Sequence, residues 1–104
     1  SILLPQLALV EVAYLIGRDA GIPAVVKFLK GSPASRFETI AATEQDIARA
    51  ADIIEQYADS KVDFVDASIM AIAERLDIKT ILTIDQRDFR MVRPSHCKSF
   101  ALLP

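Results

Sequence analysis

Helical and strand-like patterns alternate along the whole chain, and this order is the feature that most limits its fold. The helical patterns run from Pro5 to Asp19, from Pro23 to Lys30, from the N-cap Thr43 to Tyr57, from Asp63 to Leu76, and as a short turn from Gln86 to Met91. The strand patterns are Phe37 to Ala41, Lys79 to Ile84 and Lys98 to Leu103, with a short apolar run at Ser1 to Leu4. Such alternation predicts an α/β fold, a parallel sheet flanked by helices.

Two details of this pattern can be checked against the structure. The second helix is expected to stop at Gly31-Ser32-Pro33. The third helix is expected to turn one apolar stripe toward the core, and the 3.6-residue period selects the members of this stripe as Ile47, Ala50, Ala51, Ile54 and Tyr57.

Length and composition favour one ordinary globular domain, spanning residues 1–104. The chain has 104 residues, 52% of them hydrophobic and 25% charged, which argues against disorder. No apolar stretch approaches the roughly 18 residues that suggest a membrane span. A single cysteine, Cys97, cannot form an intramolecular disulfide, so we expect a reducing compartment and a cytoplasmic location.

The charges are distributed unevenly along the chain. From Glu38 to Asp66 there are eight acidic and two basic residues, and from Arg75 to Lys98 there are six basic and three acidic residues. Arg87, Arg90 and Arg93 follow directly behind Asp85. Cations beside a carboxylate suit an anionic substrate. By charge alone, however, a solvated run of charges near a helix end is the favoured interpretation.

Glu11 is the only charged residue in the ten-residue stretch from Leu7 to Ile16. A helix that is apolar all round is typically buried, so Glu11 is expected to be buried as well. A buried carboxylate needs a cation or a hydrogen-bond donor as partner. An ion pair with an arginine elsewhere in the fold would satisfy this need without any function.

Two further carboxylates occupy positions of interest. Asp85 ends a predicted strand, where ligands of parallel sheets bind, although an Asx turn would explain it equally. Asp66 lies three residues after the predicted N-cap Asp63, where a carboxylate favours the helix dipole. Its stripe also contains Met70 and Ala73, so its side chain is predicted to point inward.

Carboxylates held close together repel one another and need a hard cation such as Mg²⁺, which prefers oxygen ligands. Such a cation can activate water and stabilise charge on a phosphodiester. Other chemistries find less support. Gly17, Gly21 and Gly31 form neither a P-loop nor a dinucleotide fingerprint, and His96 with Cys97 are too few for a zinc site and read as loop residues. The aspartate and lysine pattern of receiver or phosphatase domains is not visible.

Two blocks of sequence are similar to a known family. Residues 63–76 and 80–89, followed by Val92-Arg93-Pro94, resemble the C-terminal half of a VapC-type PIN domain. The segment Glu11-Val12-Ala13-Tyr14-Leu15 resembles the glutamate-bearing helix of that family. With the spacing between these blocks, the resemblance covers essentially the whole chain.

This resemblance implies a PIN-like fold and a Mg²⁺- or Mn²⁺-dependent endoribonuclease with four acidic metal-binding positions. Glu11 matches the second, Asp66 the third and Asp85 the fourth, and all three are expected to be catalytic metal ligands. Thr83 matches a supporting hydroxyl, whereas Asp88 flanks the site and could assist it but is not expected to be a ligand. Arg87, Arg90 and Arg93 are expected to contact RNA phosphates.

The family also implies partners. VapC-like proteins are toxins of toxin–antitoxin pairs, so we expect an RNA substrate, a VapB-like antitoxin and a homodimer. In the family the first, central strand carries the first aspartate, and it precedes the segment matched here. The chain is therefore expected to be N-terminally truncated, and inactive or impaired as a ribonuclease. The alternative is a catalytically dead PIN-like fragment that acts as an antitoxin- or partner-binding module.

Overall fold

The computed structural model describes residues 2–31, 37–83 and 85–103. The contacts divide the chain into two compact units, residues 1–41 and 42–104, here called the N-terminal and the C-terminal unit. The predicted positions at Ser1, Ser32, Pro33 and Ile84 lie outside the described residues. A single domain over residues 1–104 stays a prediction.

The N-terminal unit contains a pair of parallel strands and two helices. Its elements are β1 (Ile2–Pro5), α1 (Gln6–Ala20), α2 (Ile22–Lys30) and β2 (Phe37–Ile40). In the parallel pair Ile2 lies opposite Phe37 and Pro5 lies opposite Ile40. Pro5, expected as the first helical residue, is therefore the last residue of β1, and the helix begins one residue later.

Glycines allow α1 and α2 to pack closely. Gly21 separates the two helices with a φ of 87°, a conformation that side chains disfavour, and its N–H donates to the carbonyl of Gly17 at 3.1 Å. A Cβ at Gly17 would lie only 3.3 Å from Cγ2 of Val25, so a larger residue would push the helices apart. Across the unit, the ring of Phe28 stacks on that of Phe37 with 5.6 Å between centroids.

The C-terminal unit carries the larger core. Its elements are α3 (Glu44–Gln56), a 3₁₀ turn (Ala58–Ser60), α4 (Phe64–Arg75), β3 (Thr80–Leu82), α5 (Arg87–Met91) and β4 (Ala101–Leu103). Strands β3 and β4 are parallel, with Ile81 opposite Leu102. The predicted α/β class with parallel strands flanked by helices is confirmed, and the described strands pair two by two, one pair in each unit.

Helix α4 lies at the centre of this core. The buried side chains that form the core come from α3, α4, β3, α5 and the segments between them: Ala50, Ile53, Val62, Ala67, Met70, Ala73, Ile81, Phe89, Val92 and Phe100. The rings of Phe89 and Phe100 meet edge to face at 5.9 Å. None of the described helices is both long and apolar enough to span a membrane.

The predicted inner face of α3 was partly wrong. Ala50 is buried as expected, but Ile47 is 47% exposed and Ala51 is exposed, whereas Asp46 and Ile53 are buried instead. The physical reason is Asp46. Its carboxylate closes a capping box with Thr43 and also accepts hydrogen bonds from Nε of Arg75 on α4, which turns this side of α3 inward.

A second ion pair joins the same two helices. Arg49 donates from Nε and Nη2 to the two carboxylate oxygens of Glu74, at 2.7 and 3.1 Å. The backbone N–H of Ser95 donates to the same carboxylate at 2.7 Å. Burial raises the pKa of Glu74, but the hydrogen bonds from Arg49 and Ser95 outweigh it and hold the pKa below its usual value.

We expect Asp46→Ala to lower the free energy of unfolding at pH 7 by about 2 kcal/mol, because it removes a cap and leaves Arg75 unpaired. Burial raises the pKa of Asp46, but the hydrogen bonds from Arg75 and Thr43 hold it below its usual 3.8. This stabilisation is therefore present above about pH 4 and is lost as the pH falls through the lowered pKa. Urea denaturation measures the difference. Glu44→Ala, in the same turn but exposed, is the control, and an equal loss in both variants would contradict the role of Asp46.

Candidate metal centre

Asp66 lies in the first turn of α4, where the helix emerges from the core. Asp63 is the N-cap residue, as predicted, but its side chain makes no capping hydrogen bond. Asp66 is half-buried, and the next residues, Ala67 and Ser68, are fully buried. The apolar remainder of α4 thus holds the backbone of Asp66 in place while its carboxyl group reaches the rim of the core.

A second aspartate, Asp88 on α5, meets Asp66 there. The two carboxyl groups are close enough for Asp88 to raise the pKa of Asp66. Asp88, which was expected to flank the site, is only 6% exposed. One of its oxygens accepts from the backbone N–H of Asp63 at 3.2 Å, and the other accepts from Nη1 of Arg87 at 2.9 Å.

The local excess of negative charge changes the acidity of Asp66. Burial and the charges of Asp88, Asp63 and Asp85 raise the pKa of Asp66 from 3.8 to about 7. A carboxyl group in this state holds a proton at mildly acidic pH, and above neutral pH it gains from a cation. Perturbed acids of this kind are frequent at functional sites.

Asp85 and Thr83 form a turn at the end of β3. A side-chain oxygen of Asp85 accepts from the backbone N–H of Arg87 at 3.2 Å, which is the Asx turn considered as the simpler explanation. The hydroxyl of Thr83 donates to the backbone carbonyl of Asp85 at 2.9 Å. The carboxylate of Asp85 is exposed, yet its charge acts on Asp66. The turn therefore fixes a carboxylate within the electrostatic reach of Asp66.

Glu11 belongs to the N-terminal unit, and the expectation that it is buried was wrong. Glu11 is exposed, and its neighbours on α1, Val10 and Tyr14, are 71% and 67% exposed. No residue of α1 is buried, although α2 and β1 pack against the helix within the unit. Its apolar composition therefore does not dictate burial, and Glu11 needs no buried partner.

The donor set suits a hard divalent cation. Asp66 and Asp85 offer only oxygen atoms, which Mg²⁺ and Mn²⁺ prefer. Within the described ranges, no three Asp, Glu, His or Cys side chains are close enough together to hold a metal ion. Neighbouring carboxylates can still raise the pKa of Asp66, because charges interact over longer distances than those of metal coordination. The oxygen donors therefore suit the cation, but the described residues do not by themselves form a complete set of metal ligands.

The burial of Asp88 could have been suspected from the apolar residues that follow it on α5. Phe89 and Val92 are both buried, so α5 must turn this side toward the core, and Asp88 is drawn inward with its neighbour Phe89. The short helix of Arg87–Met91 was predicted, but the identity of its inner face depends on tertiary contacts.

The three arginines behind Asp85 differ in their contacts. Arg87 pairs with Asp88, and Arg90 donates to the amide oxygen of Gln86 at 2.6 Å. The side chain of Arg93 is exposed, while its backbone N–H donates to the hydroxyl of Tyr57 at 3.0 Å. His96 and Cys97 lie outside helices and strands, as predicted, and a ring nitrogen of His96 lies 2.7 Å from the carbonyl oxygen of Ile78.

Comparison with known proteins decides the family. Residues 1–93, which include all of the described site residues, match the PIN domain. This chain belongs to the PIN-domain family. The PIN domain is also similar to Ribonuclease VapC26 of Mycobacterium tuberculosis, with 30% identity over 94 residues that cover 90% of this chain and 70% of that protein. The resemblance to VapC-type PIN domains is thereby confirmed.

The raised pKa of Asp66 in this PIN domain makes stability depend on pH. The folded form binds the proton more tightly than the unfolded chain, so this group contributes stability at low pH that is lost as pH rises from about 4 to about 7. At pH 8 in EDTA we expect Asp66→Asn to be more stable than wild type by on the order of 1 kcal/mol, after allowance for solvent screening at this half-buried position.

Thermal and urea denaturation at pH 4.5 and pH 8 measure this difference. The gain should shrink at pH 4.5, and added Mg²⁺ should stabilise the wild type at pH 8 more than the variant. Asp52→Asn, at an exposed position on α3, is the matched control. Equal stability of wild type and Asp66→Asn at both pH values would show that Asp66 has no unfavourable charge environment.

Proposed function

We propose that this PIN domain is a Mg²⁺- or Mn²⁺-dependent endoribonuclease of the VapC toxin type, which hydrolyses RNA phosphodiester bonds. The observation that carries the proposal is the group of carboxylates around Asp66: Asp88 is buried beside it, Asp63 and Asp85 add negative charge, and with burial they raise the pKa of Asp66 to about 7. Such a group is unfavourable for folding at neutral pH unless a cation compensates it. Membership of the PIN-domain family and the similarity to a VapC ribonuclease support the same function.

In this proposal Asp66 and Asp85 hold the cation, and Glu11 serves as a further carboxylate ligand. When bound, the cation supplies Lewis acidity, which activates water for attack on phosphorus and stabilises the leaving oxygen. Thr83 and the backbone N–H of Arg87 fix the turn of Asp85, so its carboxylate does not have to be ordered when the cation binds.

The positive charges of the same region supply the RNA contacts. Arg90 and Arg93 are exposed, and among the described residues neither forms an ion pair with a carboxylate. Cations near a cluster of carboxylates give the polyanionic substrate an attachment point beside the site of cleavage. A chain with net charge −2 thus binds RNA through a local rather than a global excess of positive charge.

A cleavage assay on the purified full-length protein with a fluorescent single-stranded RNA tests this function. We expect Asp66→Asn to lower the Mg²⁺-dependent rate by at least about 100-fold, the loss typical of removing one preorganised electrostatic group from an active site. Asp52→Asn should cleave at the wild-type rate. Undiminished cleavage by Asp66→Asn would refute the assignment.

A second candidate function is a catalytically inactive PIN module that binds an antitoxin or another protein. The observation that favours it is the lack, within the described ranges, of three metal-binding side chains close together. Calorimetry with Mn²⁺ separates the two functions. The ribonuclease should bind Mn²⁺ with Asp66→Asn at least about 10-fold weaker, whereas an inactive module should bind no Mn²⁺ in either form.

The remaining parts of the proposal concern partners and location. A VapB-like antitoxin would silence the ribonuclease, and the chain would form a homodimer in the cytoplasm. Exposed apolar side chains on the helices of the N-terminal unit support association with another protein surface: Val10, Tyr14 and Leu15 on α1, and Ile22, Val26 and Leu29 on α2.

A further inference from the structure

Asp88 is a buried carboxylate in the candidate site. It is 6% exposed, so leaving its charge without donors would be strongly unfavourable. The backbone N–H of Asp63 satisfies one oxygen, and the guanidinium of Arg87 satisfies the other. Arg87 is the cation paired with Asp88. The charge of Asp88 acts in turn on Asp66.

Arg87 contacts three different parts of the C-terminal unit. Its Nη1 donates to Asp88, its Nη2 donates to the backbone carbonyl of Ser60, and its backbone N–H donates to the side chain of Asp85. We name this set of contacts, with the bond from Asp63 to Asp88, the Arg87 bridge. The bridge connects four segments: the 3₁₀ turn, the start of α4, α5 and the turn of Asp85. The start of α4 carries Asp66, and the turn carries Asp85.

Arg90 has a different environment. Its donor goes to the neutral amide oxygen of Gln86 at 2.6 Å, so its positive charge is not compensated by that contact. In Arg87, by contrast, Nη1 donates to the carboxylate of Asp88 and Nη2 donates to a backbone carbonyl. An arginine that uses both arms of its planar fork in this way has fewer donors left for a phosphate.

We propose that Arg87 is a positioning residue of the carboxylate site and does not contact RNA phosphates, which are bound by Arg90 and Arg93. This inference rests on the proposed function, and it revises the expectation that all three arginines bind RNA. The Arg87 bridge keeps Asp88 compensated, and a compensated Asp88 holds Asp66 and Asp85 in the arrangement that receives the divalent cation.

Two measurements on the full chain separate positioning from RNA contact. Calorimetry gives the affinity for Mn²⁺, and fluorescence anisotropy in EDTA gives the affinity for a single-stranded RNA at several salt concentrations. Arg87→Gln should weaken Mn²⁺ binding about 10- to 100-fold, as for other residues that orient metal ligands. It should leave the salt dependence of RNA binding unchanged, since no phosphate contact is removed.

Arg90→Gln is the matched control and should behave in the opposite way. It should reduce the slope of log affinity against log salt by about 0.7, the value for one contact with single-stranded nucleic acid, and leave Mn²⁺ affinity unchanged. Arg87→Lys keeps a positive charge at Asp88 without the two-armed fork. It should therefore bind Mn²⁺ more tightly than Arg87→Gln and less tightly than wild type, and it replaces Arg87→Gln as the test if the latter does not fold.

The outcomes are distinct. Wild-type Mn²⁺ affinity in both Arg87 variants overturns the positioning role, even if their thermal stability falls, because a purely structural contact would lower stability alone. A reduced salt slope in either Arg87 variant shows that Arg87 contacts RNA and overturns the proposal as well. A wild-type chain that binds no Mn²⁺ overturns the proposed function itself, and the assignment of Arg87 with it.

Discussion

The packing of α4 against α3 is the constraint on which the C-terminal unit depends. Ala67, Met70 and Ala73 are almost entirely buried along α4, and the ion pairs Asp46–Arg75 and Arg49–Glu74 fix its C-terminal half against α3. Half-buried ion pairs of this kind fix the orientation of the two helices more than they add net stability, because the charges must first lose their hydration. The position of the first turn of α4, and hence of Asp66, follows from contacts made farther along the same helix.

At the other end of α4 the electrostatics are unfavourable by themselves. Asp88 raises the pKa of Asp66 at the edge of the core, and Asp63 and Asp85 add to the negative charge. A fold selected for stability alone would place apolar or neutral side chains here. The concentration of charge is explained if the site serves a cation, and membership of the PIN-domain family gives this explanation a chemical context.

One short segment carries both the acidic and the basic residues of the candidate site. Residues Asp85 to Arg90 carry a candidate metal ligand, a buried acid and two arginines with different partners. Pairing Arg87 with the buried Asp88 leaves Arg90 as the more available cation on the same short helix. Glu11, in the N-terminal unit, lies on an exposed helix face.

The sequence by itself determined the order of helices and strands, the parallel α/β class and the PIN family, because these depend on local periodicity and on short motifs. It also identified Asp66 as an inward-facing acid, since the stripe through Met70 is unmistakable. Only the tertiary structure decided that Asp88 is buried, that Asp46 rather than Ile47 faces the core, and that Glu11 is exposed. Each of these depends on a partner far along the chain, or on how much of a helix its neighbours cover, and periodicity carries no information about either.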